Sequence, residues 1–170
     1  MAVLEIVKVP NPILLKVADK VRGYNQELER LVSDMAETMY SAPGIGLAAN
    51  QVAVLKQVAV VDTSLPDQPK NLLVLINPKI IESEGLDDLE EGCLSVPEFR
   101  QVVERPSRIK VRAKNLKGEQ IEINAEGLLA RAIQHELDHL NGRLILDYAG
   151  SAKKALYLKK RKKLLKGQVR

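Results

Sequence analysis

The chain contains two histidines, and both lie in the pentapeptide His135-Glu136-Leu137-Asp138-His139. On a helix, four residues advance by about 400°, so the two imidazoles leave nearly the same face with roughly 6 Å between their Cβ atoms, a spacing suited to gripping one metal ion. Glu136 lies beside that face and can reach a water at the metal without being a ligand. A catalytic metal ordinarily takes three protein ligands and keeps one place for water or substrate. Here the third ligand must come from elsewhere, because no histidine follows His139 and no glutamate follows Glu136. Cys93, the only cysteine, is the leading candidate. In Glu91-Gly92-Cys93-Leu94-Ser95-Val96-Pro97, the glycine before it and the proline after it predict an irregular loop that presents the sulfur and leaves a backbone N–H free. A mixed sulfur and nitrogen site suits Zn²⁺ and Fe²⁺ alike. Asp138 has two readings, an acceptor that supports the neighbouring ligand or a solvated helix charge.

These residues need elements to hold them. From Asn25, a plausible N-cap, apolar residues at Leu28, Leu31, Val32, Met35, Ala36 and Met39 form the stripe of an amphipathic helix, which Pro43, Gly44 and Gly46 stop. Short β-rich runs follow: Gln57 to Val61, Leu72 to Ile76, Lys79 to Ile81, Gln101 to Val103, Ile109 to Val111 and Ile121 to Ile123. Asn115 to Gly118 reads as a hairpin turn between the last two. The helix that carries the histidines should start near Glu126 and run through Leu140, ended by Asn141-Gly142. A third helix is expected from about Ser151 to Lys166. The order of helix, strands, helix predicts an α+β fold: antiparallel sheets packed around a central His-Glu-x-x-His helix, with an N-terminal and a C-terminal helix.

With 170 residues and 45% hydrophobic content, one domain is expected. Aromatic residues make up only 3%, so the interior must be packed with Val, Ile, Leu and Ala. A lone thiol excludes an internal disulfide and fits a reducing compartment, here the cytoplasm. Met1 to Val9 is apolar but is interrupted by Glu5 and Lys8, so no signal peptide is expected, and no apolar run approaches the ~18 residues of a membrane span. The net charge of +4 is uneven. Nine of the 26 basic residues (Lys153, Lys154, Lys159, Lys160, Arg161, Lys162, Lys163, Lys166 and Arg170) fall after Gly150 with no acid among them, which leaves 17 basic against 22 acidic residues, or −5, in the body.

Three blocks together resemble the peptide deformylase family: Gly44-Ile45-Gly46-Leu47-Ala48-Ala49-Asn50-Gln51, then Glu91-Gly92-Cys93-Leu94-Ser95, then Gln134-His135-Glu136-Leu137-Asp138-His139. Their order and spacing match across about 100 residues. Two departures are small: Asn50 stands at a variable position, and Glu98 stands where many members have Gly. The resemblance implies that Cys93, His135 and His139 bind the metal, that Glu136 is catalytic base and acid, and that Gln51 and Leu94 help stabilise an oxyanion. It also implies ferrous iron as the working ion, with zinc, nickel or cobalt as substitutes. The implied activity is hydrolysis of the N-formyl group from the formylmethionine of nascent peptides, releasing formate. Residues 1–150 would form the catalytic part, and 151–170 a basic C-terminal helix of the same domain, in a monomeric protein.

Within that reading Gly44 and Gly46 are a helix stop and turn, and their missing side chains would also let an extended peptide pair with this strand edge. Ile45, Leu94, Ala132 and Ile133 could line an apolar pocket for the methionine side chain, although Ile133 reads better as core. Arg100 resembles a family position near the substrate backbone. The basic tail is either a solvated helix face or a contact to ribosomal RNA. Three rival readings stay open on sequence: a His-Glu-x-x-His peptidase cleaving internal bonds, an RNA-binding protein with a structural zinc, and a cysteine amidase using Cys93.

Overall fold

The computed structural model describes residues 2–168; Met1 and Arg170, the latter counted in the basic tail, lie outside the described residues. Helix α1 spans Gln26–Ser41, and Asn25 caps it as expected, its side chain accepting from the Leu28 N–H at 3.1 Å. Leu28, Val32, Met35 and Met39 form its buried stripe. The strands are β1 Gly46–Ala48, β2 Val58–Val61, β3 Leu73–Glu84, β4 Asp87–Cys93, β5 Val96–Arg105, β6 Arg108–Lys114 and β7 Gln120–Glu126. Helix α2 covers Gly127–Leu140 and α3 covers Ser151–Gln168.

Five strands form one antiparallel sheet in the order β1-β2-β3-β6-β7, and β4 and β5 make a separate antiparallel pair. The large sheet is covered on both faces. Because side chains alternate along a strand, Val58, Val60 and Ile76 pack with the stripe of α1, whereas Val61 and Leu75 pack with Ala130, Ile133 and Leu137 of α2. This double burial is why β2 reads as an unbroken apolar run, Val-Ala-Val-Val, with every residue buried. A third cluster joins the β4–β5 hairpin to the N-terminal segment and α3 through Val9, Leu14, Val96 and Phe99, with the Phe99 and Tyr157 rings 5.0 Å apart.

The α+β architecture is the expected one, with corrections in detail. The runs Leu72 to Ile76 and Lys79 to Ile81 are one strand, β3, interrupted by a bulge at Asn77-Pro78 where Asn77 has φ 51°. Asn77 turns that irregularity to use, since its side chain accepts from Val21 N–H and donates to Val21 O. Glu126 caps α2, which starts at the next residue as expected, and α3 starts at Ser151 as expected and extends to Gln168. The stretch around Cys93 is not an irregular loop. Cys93 ends β4 and pairs with Val96 across the two-residue tip Leu94-Ser95, and the register shift between Glu91 and Cys93 absorbs the glycine that suggested a loop. Gly46 opens strand β1 instead of lying in a turn. Among the described residues no helix is long and apolar enough to cross a membrane.

Candidate active site

Helix α2 lies against β1 and β2 and turns one polar face toward the β4–β5 hairpin. On it His135 and His139 bring their Nε2 atoms to 3.2 Å, and the Cys93 Sγ, delivered by the end of β4, lies 3.3 Å from His139 Nε2. The three ligand atoms all lie within 4.8 Å of one another, a group able to hold a metal ion. With its proton on Nδ1, toward Glu91 Oε1 at 2.9 Å, His135 turns the lone pair of Nε2 into this cluster.

Glu91 is where reading the sequence fell short. Its buried carboxylate accepts from Arg105 Nε at 2.6 Å and Nη2 at 2.9 Å, and from Arg131 Nη1 at 2.7 Å. Arg105 also donates to Asp138 Oδ2 at 2.9 Å, and Tyr148 donates to the same oxygen at 2.6 Å, so Asp138 is not a solvated charge, and it holds Arg105 rather than accepting from the neighbouring His139. Arg131 reaches further, to Val103 O and Asp87 O, and so ties α2 to both strands of the hairpin. Burial opposes ionisation of Glu91, yet the Arg105 and His135 hydrogen bonds win and hold its carboxyl down at about 2. One signal could have flagged Arg131: it falls four residues before His135, a charge on the buried face of an otherwise apolar turn.

Glu136 has the opposite environment. Its Oε2 is buried with no hydrogen-bond partner among the described residues, and Gly46 presses against the side chain so closely that an added Cβ would sit 2.5 Å from Glu136 Oε1. Burial pushes its pKa up to about 7, against the lowering pull of His135 and Arg105. For His135 the burial penalty is overcome by hydrogen bonds to Cys93 and Glu91, raising its pKa, whereas burial and the charge of His135 push His139 well down. Two imidazoles in contact do not both hold a second proton.

A cavity of about 520 Å³ opens onto His135 and Glu136, while the fully buried His139 is outside its lining. Its lining includes Gly44, Ile45, Gly46, Leu94, Arg100 and Ala132, six of the residues singled out from sequence, along with Cys93, His135, Glu136 and Gln51. Ile133 is not among them and is fully buried in the α2 core. A Cβ at Gly44 would meet Leu94 Cδ1 at 2.9 Å, so a side chain there would push the Leu94 side chain aside. Gln51 is buried, accepts from Ala48 N–H through Oε1, and points Nε2 at Ser95 Oγ (3.1 Å) and Cys93 Sγ (3.8 Å). Arg100 is exposed at the mouth and donates to Glu90 at 2.7 Å. Glu98, also at the rim, has φ 60°, the left-handed region that a glycine would occupy without strain.

An α+β chain in which a buried glutamate adjoins a cysteine and two histidines able to hold a metal falls in the class of metal-dependent hydrolases. Residues 3–155 match the family model described as polypeptide deformylase, and the chain belongs to that family. It is 51% identical over 160 residues to the peptide deformylase of Thermodesulfovibrio yellowstonii, covering 94% of this chain and 97% of that one. The crystal structure of a peptide deformylase from Legionella pneumophila superposes with a TM-score of 0.90 at 38% identity, covering 99% of both chains. A peptide deformylase from Ehrlichia chaffeensis in complex with actinonin superposes with a TM-score of 0.90 at 39% identity, covering 96% and 98%. The protein is therefore a metal-dependent enzyme that removes N-formyl groups from nascent peptides, and the peptidase, structural-zinc and cysteine-amidase readings are set aside.

Proposed function

We propose that Cys93, His135 and His139 hold one divalent ion and that Glu136 moves the protons while the formyl group is hydrolysed from formylmethionine. The observation that carries this reading is the convergence of the Cys93 hairpin on the two α2 imidazoles, beside the partnerless carboxylate of Glu136 at the cavity floor. One thiolate and two neutral imidazoles are a fitting donor set for ferrous iron, which we take as the working ion, and for zinc, nickel or cobalt as substitutes. Bound there, such an ion lowers the pKa of water and polarises the formyl carbonyl.

The chain's own groups supply the rest. Glu136, with a pKa near neutrality, takes a proton from the water that attacks the formyl carbon. The Gln51 side-chain amide and the Leu94 backbone N–H stabilise the developing oxyanion, a donor of this kind being worth about 3 kcal/mol. Glu136 then gives the proton to the departing amine as the C–N bond breaks, and formate leaves. Gly44, Ile45 and Gly46 bind the extended peptide, Ala132 helps form the methionine pocket, and Arg100 engages the peptide further along.

Residues 1–150 form the catalytic unit and 151–170 its basic extension. In that extension Lys159, Lys160, Lys162, Lys163 and Lys166 are exposed, which supports contact with ribosomal RNA phosphates. We take the enzyme to act as a monomer, and the lone thiol supports a cytoplasmic setting. Glu136→Ala tests the core of the proposal: it should retain one equivalent of metal and release formate from formyl-Met-Ala-Ser at less than a hundredth of the wild-type rate. Wild-type turnover by this variant would refute the proton-transfer role.

A further inference from the structure

Strand β1 is the first in the sheet order, so one of its edges has no strand partner among the described residues. Asp62 N–H donates to Ile45 O at 2.9 Å on the β2 side, and Ala48 N–H donates to Gln51 Oε1 at 3.0 Å on the other. Successive residues of an antiparallel ladder turn their peptide groups to opposite sides, so Gly46 presents its N–H and C=O on the open edge, where it lines the cavity.

A single carboxylate behind this edge grips it from both ends. Asp62 is 5% exposed; its Oδ2 accepts from Tyr40 Oη–H at 2.6 Å and Asn71 N–H at 2.9 Å, and its Oδ1 from Ser64 N–H at 2.9 Å and Oγ at 2.6 Å. Tyr40 stands in the last turn of α1, immediately before the segment 41–45, and the Asp62 backbone holds Ile45 at its end. The same aspartate therefore closes the segment that leads into Gly46. Burial and the Asp62 hydrogen bond push the Tyr40 phenol up to about 12. Burial opposes ionisation of Asp62, but the Ser64 and Tyr40 hydroxyls and the Ser64 and Asn71 N–H groups hold it at about 2. The pair stays a neutral donor on an ionised acceptor throughout the working range of pH.

We propose that Tyr40 and Asp62 are positioning residues for substrate binding: their hydrogen bond clips segment 41–45 so that Gly46 holds its peptide groups in register for an extended substrate, a role that rests on the strand-pairing reading above. Neither side chain is assigned a contact with substrate, so the signature is a KM effect confined to substrates long enough to pair.

Tyr40→Phe, which removes one hydroxyl and keeps the ring, is to be compared with wild type on formyl-Met-Ala-Ser and on formyl-Met, which lacks the downstream peptide groups. Wild type should show a KM for formyl-Met at least about tenfold above that for the tripeptide. The variant should raise the tripeptide KM by about fivefold, the size of one ordinary hydrogen bond, leave kcat within about twofold, and leave the formyl-Met KM unchanged. Asp62→Asn, which keeps a carbonyl oxygen for Tyr40 but no longer offers Ser64 and Asn71 a full carboxylate, should shift KM in the same substrate-dependent way. If wild type does not distinguish the two substrates, strand pairing itself fails and the proposal with it. If wild type does distinguish them and both variants either leave the tripeptide KM unchanged or lower kcat equally on both substrates, strand pairing stands and the positioning role is overturned.

Discussion

Replacing Glu91 by glutamine keeps the shape of a buried side chain and removes the charge that four donor atoms share. Each Glu91 oxygen accepts two of them: Oε2 takes Arg105 Nε and Arg131 Nη1, and Oε1 takes Arg105 Nη2 and His135 Nδ1. Whichever way the new amide turns, its nitrogen faces two N–H groups, so two charge-assisted bonds become repulsive contacts. At about 1.5–3 kcal/mol each, the loss is about 3–6 kcal/mol, in the range expected when one partner of a buried ion pair is removed. For a chain of this length that lowers the Tm by about 6–24 °C. Because the same carboxylate fixes the tautomer of His135, metal affinity should fall about 10- to 100-fold. Thermal unfolding of the metal-free protein measures the first effect, and competition with a chromogenic chelator measures the second. A variant that melts within about 2 °C of wild type and binds metal as tightly would show that Glu91 does not hold the ligand helix to the hairpin.

Gly46→Ala should fold but lose at least about tenfold in kcat for formate release, because the new methyl displaces Glu136, whose Oε1 lies 2.5 Å from that position. Asp62 is held at about 2 against an ordinary value of 3.8, so the stability it contributes is complete above about pH 4 and is lost as the pH falls through 2. Urea midpoints of wild type and Asp62→Asn should accordingly differ at pH 7 and converge toward pH 2. Changing Lys159, Lys160, Lys162 and Lys163 together to glutamine, which leaves the α3 anchors Tyr157 and Arg161 in place, should weaken co-sedimentation with ribosomes and flatten its salt dependence while sparing turnover of a short formyl peptide. Ile133→Ala should cost about 2–5 kcal/mol, read as a lowered denaturation midpoint, because the side chain is fully buried against the sheet.

Much of this molecule could be read before any coordinates, for reasons that lie in particular residues. Asn25 and the stripe from Leu28 to Met39 define α1 because capping and a 3.6-residue period are local properties. The β6–β7 hairpin was legible for the same reason, since Asn115 both opens the turn and accepts from Lys117 and Glu119 N–H within it. Strand β4 was not legible: Asp87, Asp88, Glu90 and Gly92 disguise a strand whose first four residues are exposed on both faces, and only its pairing with β5 makes it one. At the site, the residues with unusual chemistry advertised themselves, and the fold brings Cys93, His135 and His139 together beside a cavity that Glu136 and Gln51 line. Arg105 and Arg131 did not, because a buried arginine and a surface arginine are the same letter. Their meaning depends on Glu91, which meets Arg105 only when β4 and β5 pair and Arg131 only when the hairpin folds onto α2.

In the proposed centre a thiolate from the hairpin and two imidazoles from α2 share one ion. The absorption spectrum of the cobalt-loaded protein tests that most directly. One equivalent of cobalt should give a thiolate-to-cobalt charge-transfer band in the near ultraviolet, absent from folded Cys93→Ser. One tightly bound equivalent without that band, or a Cys93 that still reacts freely with a thiol reagent when the metal is bound, would contradict it.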